Sequence, residues 1–349
     1  MRAITVRPGV SGSGELSRLP EPDERDGAVL VEALAMGVCG TDDDILAGAY
    51  GEPPDGGDRL VLGHESLGRV LEAPAGATVA AGDLVAGIVR RPDPVPCRCC
   101  AAGEWDMCVN GRYTERGIKG RHGYGSERWR AEPEFCVRLD PSLGRAGVLL
   151  EPASVLAKAW EHIDAIAGRA CAGGRRVLVT GAGPIGLLAA LLAAQRNLEV
   201  HVIDLATEGP KTDLVRALGA TYHVRAAPAD VPAPDVVVEA TGVPDVVAGA
   251  IRAASPNAVV CLTGLSPAGR GPHVDIGALA TEIVLRNTVV FGTVNANRAH
   301  YEAAAAALAR ADRGWLEGMI TRRVPLERWD EALRHDDGDV KVVVEFAAL

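Results

Sequence analysis

The sequence predicts a two-domain α/β protein, in which an irregular, mostly-β domain precedes a doubly wound parallel sheet. The first 150 residues are rich in Gly and Pro and contain only short β-type segments. From Arg175 onwards, apolar strands alternate with helical segments, as in a parallel sheet covered by helices. The glycine motif GAGPIG directly follows the first of these strands. A chain of 349 residues is long enough for two such domains.

Short apolar segments separated by turns make up the first domain. AVLVEAL, RLVLGH and DLVAGIV have the composition of strands, whereas PPDGGD and RRPDPVP are rich in turn-forming residues. Arg90 and Arg91 open the second of these turns. We interpret them as a solvated pair rather than as a phosphate clamp.

The pattern changes after Glu151. Pro152 suits the first turn of a helix, and ASVLAKAWEHIDAIAG continues with helical apolar spacing. The predicted strands of the parallel sheet are RRVLVT, EVHVID, DVVVEAT, NAVVCLTGL and NTVVFGTV. After the helix AHYEAAAAALARAD, the predicted strand VKVVVEF folds back onto the first domain. The expected domains are therefore residues 1–152 with 296–349, and residues 153–295 inserted between them.

Gly181, Gly183 and Gly186 form a dinucleotide fingerprint between the strand RRVLVT and a helix. In such a motif the first glycine permits a tight turn, the second lets the backbone approach a pyrophosphate, and the third allows close helix packing. The helix N-terminus then faces the phosphates. The alternative is a glycine turn that serves packing alone. The full set of predicted coenzyme-binding residues is Gly181, Gly183, Pro184, Ile185, Gly186, Asp204, Thr241 and Asn295.

Asp204 ends the second strand of this domain and predicts which coenzyme binds. A carboxylate at that position accepts hydrogen bonds from the ribose hydroxyls and repels a 2′-phosphate. The residues that follow it, LATEGPK, contain no cation before Lys211. The sequence therefore favours NAD over NADP.

Cys39, His64, Glu65 and Glu151 are candidate ligands of one zinc ion. A thiolate and an imidazole suit zinc, and a carboxylate with a water completes an open tetrahedral site. Taken singly, each residue has a simpler explanation, since cysteine and histidine are often buried structural side chains and Glu65 could be surface charge. The segments GVCGTD and LGHESLG are glycine-flanked turns rather than periodic apolar faces, which favours the metal.

A second cluster has the spacing of a structural zinc knuckle. Cys97, Cys100 and Cys108 form C-x2-C-x7-C, which supplies three thiolates. A closed site needs a fourth ligand, and Asp93 is the candidate for it. Cys99 would point elsewhere if Cys97 and Cys100 both ligate. The alternative is a lobe held by packing without metal.

Charge and composition exclude several classes of function. The formal net charge of -10 argues against general binding to nucleic acids or anionic membranes. The N-terminal MRAITVRPGV lacks the apolar segment of a signal peptide, and no stretch of about 18 apolar residues is present. Crowded cysteines in such a chain favour metal ligation over disulfides. We expect a cytoplasmic protein.

Together these motifs resemble the zinc-dependent medium-chain dehydrogenases/reductases, and most closely their archaeal-type glucose 1-dehydrogenases. The resemblance covers nearly the whole chain and rests on GVCGTDDDI, LVLGHESLGRV, GEWDMCVNGRYTERGIKG, LLEPASVLAKAW, GAGPIG and VKVVVEF. It implies a GroES-like catalytic domain and a Rossmann domain. The first cysteine of the family's four-cysteine lobe falls on Pro94, which is a departure from the pattern.

The resemblance also implies roles for individual residues. Cys39 and His64 hold the catalytic zinc, Glu65 is a ligand or a close neighbour, and Glu151 binds the zinc or its water. Thr41 matches the hydroxyl that receives the substrate proton, and Asp44 occupies the far end of that proton relay. Residues expected to contact substrate hydroxyls, or the nicotinamide side of the cleft, are Glu115, Glu151 and Asn295.

The expected function is zinc-dependent transfer of a hydride from a sugar, cyclitol or polyol hydroxyl to NAD. A threonine- or sorbitol-type dehydrogenase on the same scaffold is one alternative. A catalytically silent NAD(H)-binding protein is another, although such a protein has no physical need of a relay hydroxyl beside a metal site. The edge strand NTVVFGTV predicts a homodimer or homotetramer.

Overall fold

The computed structural model describes residues 1–170, 175–266, 274–334 and 336–348. It divides into two compact units, Met1–Ser154 with Asn295–Leu349, and Val155–Val294. The first unit is mostly β and the second is a parallel sheet with helices, so the predicted fold class is confirmed. Arg90 and Arg91 are buried, so the interpretation of them as a solvated pair was wrong. Cys171, a further cysteine of the chain, lies outside the described residues.

Short strands and single-turn helices dominate the first unit. Its strands are Arg2–Val6, Glu15–Arg18, Val29–Val38, Leu60–Val61, Glu65–Glu72, Leu84–Gly87, Arg90–Arg91, Thr114–Arg116, Gly120–Arg121, Arg128–Ala131, Cys136–Arg138, Ile320–Pro325 and Lys341–Glu345. Its α-helices are Gly40–Leu46, Arg98–Ala101, Arg298–Ala309 and Arg313–Met319. Its 3-10 helices are Glu24–Asp26, Trp105–Met107, Pro133–Phe135, Pro141–Leu149 and Leu326–Leu333. The helix Leu150–Ala167 begins in this unit and ends in the second.

The long strand Val29–Val38 organises the largest sheet of this unit. It pairs antiparallel with Glu65–Glu72 on one side and with Lys341–Glu345 on the other. The predicted C-terminal strand thus lies beside a strand that is 300 residues away in sequence. In this register Gly37 faces Glu65, and Val38 faces Val342. The start of the strand Glu65–Glu72 and the start of the strand Lys341–Glu345 therefore both lie beside the end of the central strand, next to Cys39.

Gly37 makes room for a charged side chain at this end of the sheet. A Cβ atom built on Gly37 would meet Oε2 of Glu65 at 2.0 Å. Any larger residue would push the carboxylate away, because atoms cannot approach so closely. The glycine thus lets Glu65 fold over the central strand towards the position where the chain continues into Cys39.

The second unit is a parallel sheet flanked by helices. Within the described residues, its strands run in the spatial order Thr221–Val224, Glu199–Asp204, Arg176–Thr180, Val236–Glu239, Val259–Leu262 and Val289–Gly292. Its helices after Leu150–Ala167 are Pro184–Ala194, Pro210–Ala217, Pro244–Ala253 and Ile276–Arg286, with a 3-10 turn at Pro228–Asp230. Every neighbouring pair in this sheet is parallel. The order reverses at Arg176–Thr180, which is the switch point where doubly wound sheets bind ligands.

The interior of the second unit is almost wholly aliphatic. Leu178, Val237 and Val260 from three adjacent strands are fully buried and belong to one cluster. The helix Pro184–Ala194 is buried along most of its length, which explains why it is apolar all round. Among the helices that the structure describes, none combines the length and the apolar character that a membrane crossing requires.

Candidate active site

Cys39 lies where the central strand Val29–Val38 ends and the helix Gly40–Leu46 begins. It is the N-cap of that helix, and its Sγ accepts a hydrogen bond from the N–H of Thr41 at 3.4 Å. The carboxylate of Asp42 accepts the N–H of Cys39 at 3.1 Å, which completes a capping box. The thiol is thus held in a fixed position at the start of this helix.

His64 and Glu65 converge on this thiol from the adjoining strand. Nε2 of His64 lies 3.0 Å from Sγ of Cys39. One ligand atom from each of Cys39, His64 and Glu65 lies within 4.8 Å of the other two. Cys39 is half-buried, whereas His64 and Glu65 are 5% and 2% exposed, so most of the group is shielded from bulk water. The structure therefore brings together three of the four predicted ligands of the catalytic zinc.

Asp42 faces the other ring nitrogen of His64. Oδ1 of Asp42 is 3.6 Å from Nδ1 of His64, and both atoms are buried with no hydrogen-bond partner among the described residues. Histidines that bind zinc through one nitrogen commonly direct the other towards a carboxylate, which fixes the tautomer and the ring orientation. The arrangement fits an imidazole that offers Nε2 to a metal.

Lys341 is the positive charge of this site. Its Nζ donates to both oxygens of Glu65, at 2.7 and 2.6 Å, and to the carbonyl of Val38 at 3.1 Å. Lys341 is 1% exposed, and a buried ammonium persists only where it is paired in this way. Because Glu65 is held by Lys341, it can serve as a ligand or as a neighbour of the ligands.

The electrostatics of the group favour a cation. Burial raises the pKa of Glu151 to about 7 in spite of the nearby His64. Burial alone would lower the pKa of His64, but Cys39 and Asp42 together raise it well above its usual range. Several acidic groups thus surround one ammonium group. A divalent ion would supply the missing positive charge, so the residues present fit zinc.

Thr41 and Asp44 occupy the helix that begins after Cys39. Thr41 is half-buried beside the thiol, whereas Asp44 is exposed and lies three residues closer to the end of the helix. An exposed carboxylate is a suitable terminus for a path that delivers a proton to water. Their roles in a proton relay remain a prediction.

Glu115 and Asn295 are in direct contact, although 180 residues separate them in sequence. Nδ2 of Asn295 donates to Oε1 of Glu115 at 2.7 Å. The two residues are 5% and 9% exposed, and Asn295 has a left-handed backbone with φ of 63°. Asparagine adopts this conformation more readily than most other residues, so the backbone here suits the residue type. Two predicted substrate-binding residues therefore form one polar cluster.

The second cysteine cluster also assembles as predicted. Ligand atoms of Cys97, Cys100 and Cys108 lie within 4.8 Å of one another. Backbone N–H groups of Cys100 and Val109 that donate to Cys97 lower the pKa of its thiol to about 6. Burial raises the pKa of Cys100 to about 11. A thiolate stabilised by backbone donors is what a structural zinc site needs.

Asp93 does not join this group, contrary to the prediction of a fourth ligand. Its Oδ1 accepts the N–H of Val95 at 2.8 Å. Its Oδ2 accepts Nδ2 of Asn110 at 2.8 Å and Nε of Arg112 at 3.2 Å. Hydrogen bonds from Asn110 and Val95 lower the pKa of Asp93. The carboxylate therefore closes the loop around the cysteines instead of facing them.

The glycine turn of the second unit has the geometry of a dinucleotide site. Gly181 has φ of 91°, and a Cβ on Gly186 would meet the carbonyl oxygen of Gly181 at 1.8 Å. A Cβ on Gly183 would meet nothing within 4 Å, which leaves open space at the helix N-terminus. Pro184 and Ile185 follow in the first turn of that helix. This space suits the pyrophosphate of a nicotinamide coenzyme.

Asp204 is tied to this turn by its own carboxylate. Oδ2 accepts the N–H of Ala182 at 2.6 Å, and Oδ1 accepts the N–H groups of Leu205 and Ala206 at 2.7 and 3.1 Å. The neighbouring strand brings in a cation that the sequence analysis missed. Nε of Arg225 donates to the carbonyl of Leu205 at 3.3 Å, one residue past Asp204.

Thr241 lies beside the glycine turn and is held by a buried glutamate. A Cβ on Gly181 would be 3.1 Å from Cγ2 of Thr241. Glu239, which is fully buried, accepts the N–H and the hydroxyl of Thr241 and the hydroxyl of Thr180. The structure therefore brings Thr241 and Gly181 together at the carboxyl ends of two adjacent strands.

Asp42 and Lys341 are the functional residues that sequence reasoning missed at the zinc site. Asp42 had a local signal, since a carboxylate three residues after an N-cap commonly closes a capping box. Lys341 had none, because it is an isolated cation in an apolar strand. Only its pairing with the central strand shows that it meets Glu65.

A mostly-β unit with a buried thiol–imidazole–carboxylate group, joined to a dinucleotide-binding sheet, defines the class of the zinc-dependent medium-chain dehydrogenases. Comparisons with known proteins agree. Residues 25–141 match the model of the alcohol dehydrogenase GroES-like domain, and residues 144–346 match that of the glucose dehydrogenase C-terminus. The chain is 42% identical to a glucose 1-dehydrogenase of Methanocella arvoryzae and 38% identical to one of Thermoproteus tenax. These alignments cover 100% and 99% of both chains, respectively.

Solved structures give the same result. The fold matches Haloferax mediterranei glucose dehydrogenase in complex with NADP, Zn and gluconolactone, with a TM-score of 0.91 and 33% identity over 100% of both chains. The chain belongs to the glucose dehydrogenase family. It is an NAD(P)- and zinc-dependent alcohol or sugar dehydrogenase, as the sequence resemblance implied.

Proposed function

We propose that the chain oxidises the anomeric hydroxyl of an aldose, with glucose as the first candidate, and that NAD is its preferred coenzyme. The observation that carries the proposal is the buried group formed by Cys39, His64 and Glu65. The Haloferax relative was solved with gluconolactone, the compound that results when cyclic glucose loses a hydride from its anomeric carbon and a proton from the hydroxyl on that carbon. The Glu115–Asn295 pair gives this chain a second polar cluster that suits sugar hydroxyls.

Different residues of the first unit would bind zinc and transfer the substrate proton. Cys39, His64 and Glu65 would hold zinc, with Glu151 close to them. When bound, zinc supplies Lewis-acid polarisation of the substrate hydroxyl, and the nicotinamide coenzyme accepts the hydride. Thr41 would accept the hydroxyl proton while giving up its own, and the exposed Asp44 would be the group that releases a proton to water.

Asp42 and Lys341 act on the ligands rather than on the substrate. Asp42 orients the ring of His64, and Lys341 holds Glu65 over Gly37. Glu115 and Asn295 hold hydroxyl groups that do not react, which places the reacting carbon. Positioning of this kind accounts for a large share of the acceleration in enzymes that use two bound reactants.

A sugar is favoured over the other substrates that the sequence left open. Both similar relatives are glucose 1-dehydrogenases along their whole length, which favours an aldose over threonine or sorbitol. The buried zinc-binding group also favours an enzyme over a silent NAD(H)-binding protein. In the part of the chain that the structure describes, no observation favours either alternative.

The test is turnover by the zinc-loaded chain with aldoses, aminosugars and cyclitols, followed by NADH absorbance. We expect the highest kcat/KM with an aldose. Cys39→Ser should lose about one zinc per chain and about a thousandfold in kcat/KM, because Lewis-acid catalysis contributes several kcal/mol. Cys261→Ala, at a buried cysteine of the other unit, is the control and should keep its zinc. Full zinc content and full turnover in Cys39→Ser would contradict the metal assignment.

The preference for NAD is a separate proposal, because the Haloferax relative was solved with NADP. The carboxylate of Asp204 at the end of its strand supports a preference for NAD, because it would repel a 2′-phosphate. The positive charge of Arg225 beside Leu205 reduces this preference. Asp204→Asn should shift the ratio of kcat/KM values towards NADP by roughly 10- to 100-fold, since a like charge near a phosphate costs about 1–3 kcal/mol. Arg225→Met should shift the ratio the other way. Unchanged ratios in both variants would contradict the proposal.

We also propose a homo-oligomer, formed through the edge of the parallel sheet. The strand Val289–Gly292 is at that edge, and the helix Ile276–Arg286 precedes it. Val284 and Leu285 of this helix are 72% and 77% exposed, which is unusual for adjacent large apolar side chains. A monomeric mass by sedimentation at micromolar concentration would contradict this proposal.

A further inference from the structure

Arg90 is buried, although the sequence predicted a solvated turn. It lies in the two-residue strand Arg90–Arg91 and is 6% exposed. This strand pairs with Thr114–Arg116, and in its register Arg90 faces Glu115. A buried guanidinium needs partners for its charge and its donors, so its contacts show what it does.

Those contacts converge on one oxygen of Glu115. Nε and Nη2 of Arg90 donate to Oε1 of Glu115, at 3.1 and 3.0 Å. Asn295 donates to the same oxygen at 2.7 Å. No hydrogen bond to Oε2 is found among the residues that the structure describes. The carboxylate is therefore fixed through one oxygen, and the other is left to accept from a ligand.

Other contacts fix Arg90 itself. Nη1 donates to the carbonyl of Asp106 at 2.9 Å, and the guanidinium lies 3.7 Å from the ring centre of Tyr113. Oδ1 of Asp106 in turn accepts Nδ2 of Asn297 at 3.0 Å. Arg90 thus joins the strand of Glu115 to the segment that carries Asn295 and Asn297. Because the planar guanidinium group is rigid, these contacts fix the orientation of the Glu115 carboxylate as well as balancing its charge.

The pair also determines what kind of ligand suits the site. Arg90 and Glu115 together are electrically neutral, and both are shielded from water. A neutral pair presents a strong hydrogen-bond acceptor without presenting a net negative charge to the ligand. Such an acceptor suits the hydroxyl of an uncharged, polyhydroxylated substrate.

We propose that Arg90 is a positioning residue for sugar recognition, which acts by directing the free oxygen of Glu115 towards a substrate hydroxyl. This inference rests on the proposed role of Glu115 in holding the sugar. Arg90 does not touch the reacting atoms. Its contribution is to hold the Glu115 carboxylate in one orientation and in contact with Asn295.

The test is a double-mutant cycle in the zinc-loaded full-length chain, with Arg90→Met, Glu115→Gln and the double variant. Arg90→Met should lower kcat/KM for the sugar by about 10- to 100-fold, as expected for the loss of hydrogen bonds to a charged group. KM for NAD should change by less than about twofold. The double variant should be no worse than Glu115→Gln alone by more than about twofold, because Arg90 acts through Glu115.

Arg91→Met is the matched control. Arg91 is the neighbouring residue, is 4% exposed and stacks on Phe135 at 3.9 Å, but it pairs with Glu132 instead of Glu115. It should lower the melting temperature without changing KM for the sugar. Arg90→Lys keeps the charge but not the two-donor geometry, so it should show a smaller loss, and it serves if Arg90→Met does not fold.

Two results would overturn the inference. One is an Arg90 variant that raises KM for NAD as much as KM for the sugar, or whose KM values for NAD and for the sugar are both the same as those of Arg91→Met. The other is a loss in the double variant equal to the product of the two single losses. If the unaltered chain oxidises no aldose, the proposed function fails before any variant is made. The cycle is then run with the polyol that the chain does oxidise, and it tests the role of Arg90 independently of the identity of the substrate.

Discussion

The two cysteine clusters of the first unit stabilise their thiols in different ways. At Cys39 the neighbours are charged side chains, with His64, Asp42 and Glu65 around the thiol and Lys341 behind them. At Cys97 the neighbours are backbone N–H groups from a short loop. One cluster mixes nitrogen, sulfur and oxygen ligands, whereas the other offers sulfur alone.

This difference matches two kinds of zinc site. A site with mixed ligands and buried acids leaves a position for substrate, and its charges come from strands that meet only in the folded unit. A thiolate site formed by one loop needs little help from the rest of the protein. The first cluster should therefore depend on distant residues, and the second on its own loop.

Removing Lys341 should have the largest effect. Lys341→Met leaves Glu65 buried without its partner, which costs about 3–5 kcal/mol in the free energy of unfolding. Bound zinc offsets part of that loss, because it supplies positive charge to the same acids. Denaturant titrations of zinc-loaded and EDTA-treated protein should show a larger difference from wild type in the EDTA-treated form.

Arg145→Met is the control for this prediction. Arg145 pairs with Glu345 at 2.6 Å, and both side chains are about 30% exposed. A partly exposed pair contributes about 0–1 kcal/mol, so zinc should make no difference to this variant. An equal loss in the free energy of unfolding from Lys341→Met and Arg145→Met would contradict the prediction that the buried pair contributes more to stability than the partly exposed one.

Cys100→Ser should have an intermediate effect that is confined to one loop. Two thiolates cannot close a zinc site, so the variant should contain about one zinc fewer per chain. Residual zinc should still be removed by Cys39→Ser. Metal analysis of the two single variants and the double variant checks whether the sites are independent.

Asp93→Asn should have the smallest effect on metal content. In the structure the carboxylate binds Val95, Asn110 and Arg112 rather than a metal, so zinc should be retained while the loop melts slightly earlier. Loss of zinc from Asp93→Asn would contradict this expectation and would support Asp93 as the fourth zinc ligand. Proteolysis in the loop, compared with wild type, measures the local change.

Much of the fold follows from local patterns in the sequence. The glycine motif with its flanking apolar strands predicted the parallel sheet, and VKVVVEF predicted the last strand, Lys341–Glu345. The strand Thr221–Val224 was not predicted, because TYHV is half-exposed at the sheet edge and lacks a continuous apolar pattern. Edge strands carry the weakest periodic signal, since only part of their surface is buried.

The candidate site was harder to complete from sequence. Its ligand types were recognisable because Cys39 and His64 are unusual residues in glycine-flanked turns. Lys341 and Arg90 were not, since a single cation in an apolar or turn-like segment gives no local sign of burial. Their partners Glu65 and Glu115 are 276 and 25 residues away, and strand pairing alone brings them together.

The return of the strand Lys341–Glu345 to the central strand has a consequence for biosynthesis. On the ribosome, Cys39, His64 and Glu65 emerge early, and the whole second unit emerges before Lys341 does. Until then Glu65 has no ammonium partner, and one side of Val29–Val38 lacks its neighbour. Translation order thus delays completion of the metal-binding pocket until the whole second unit has been synthesised.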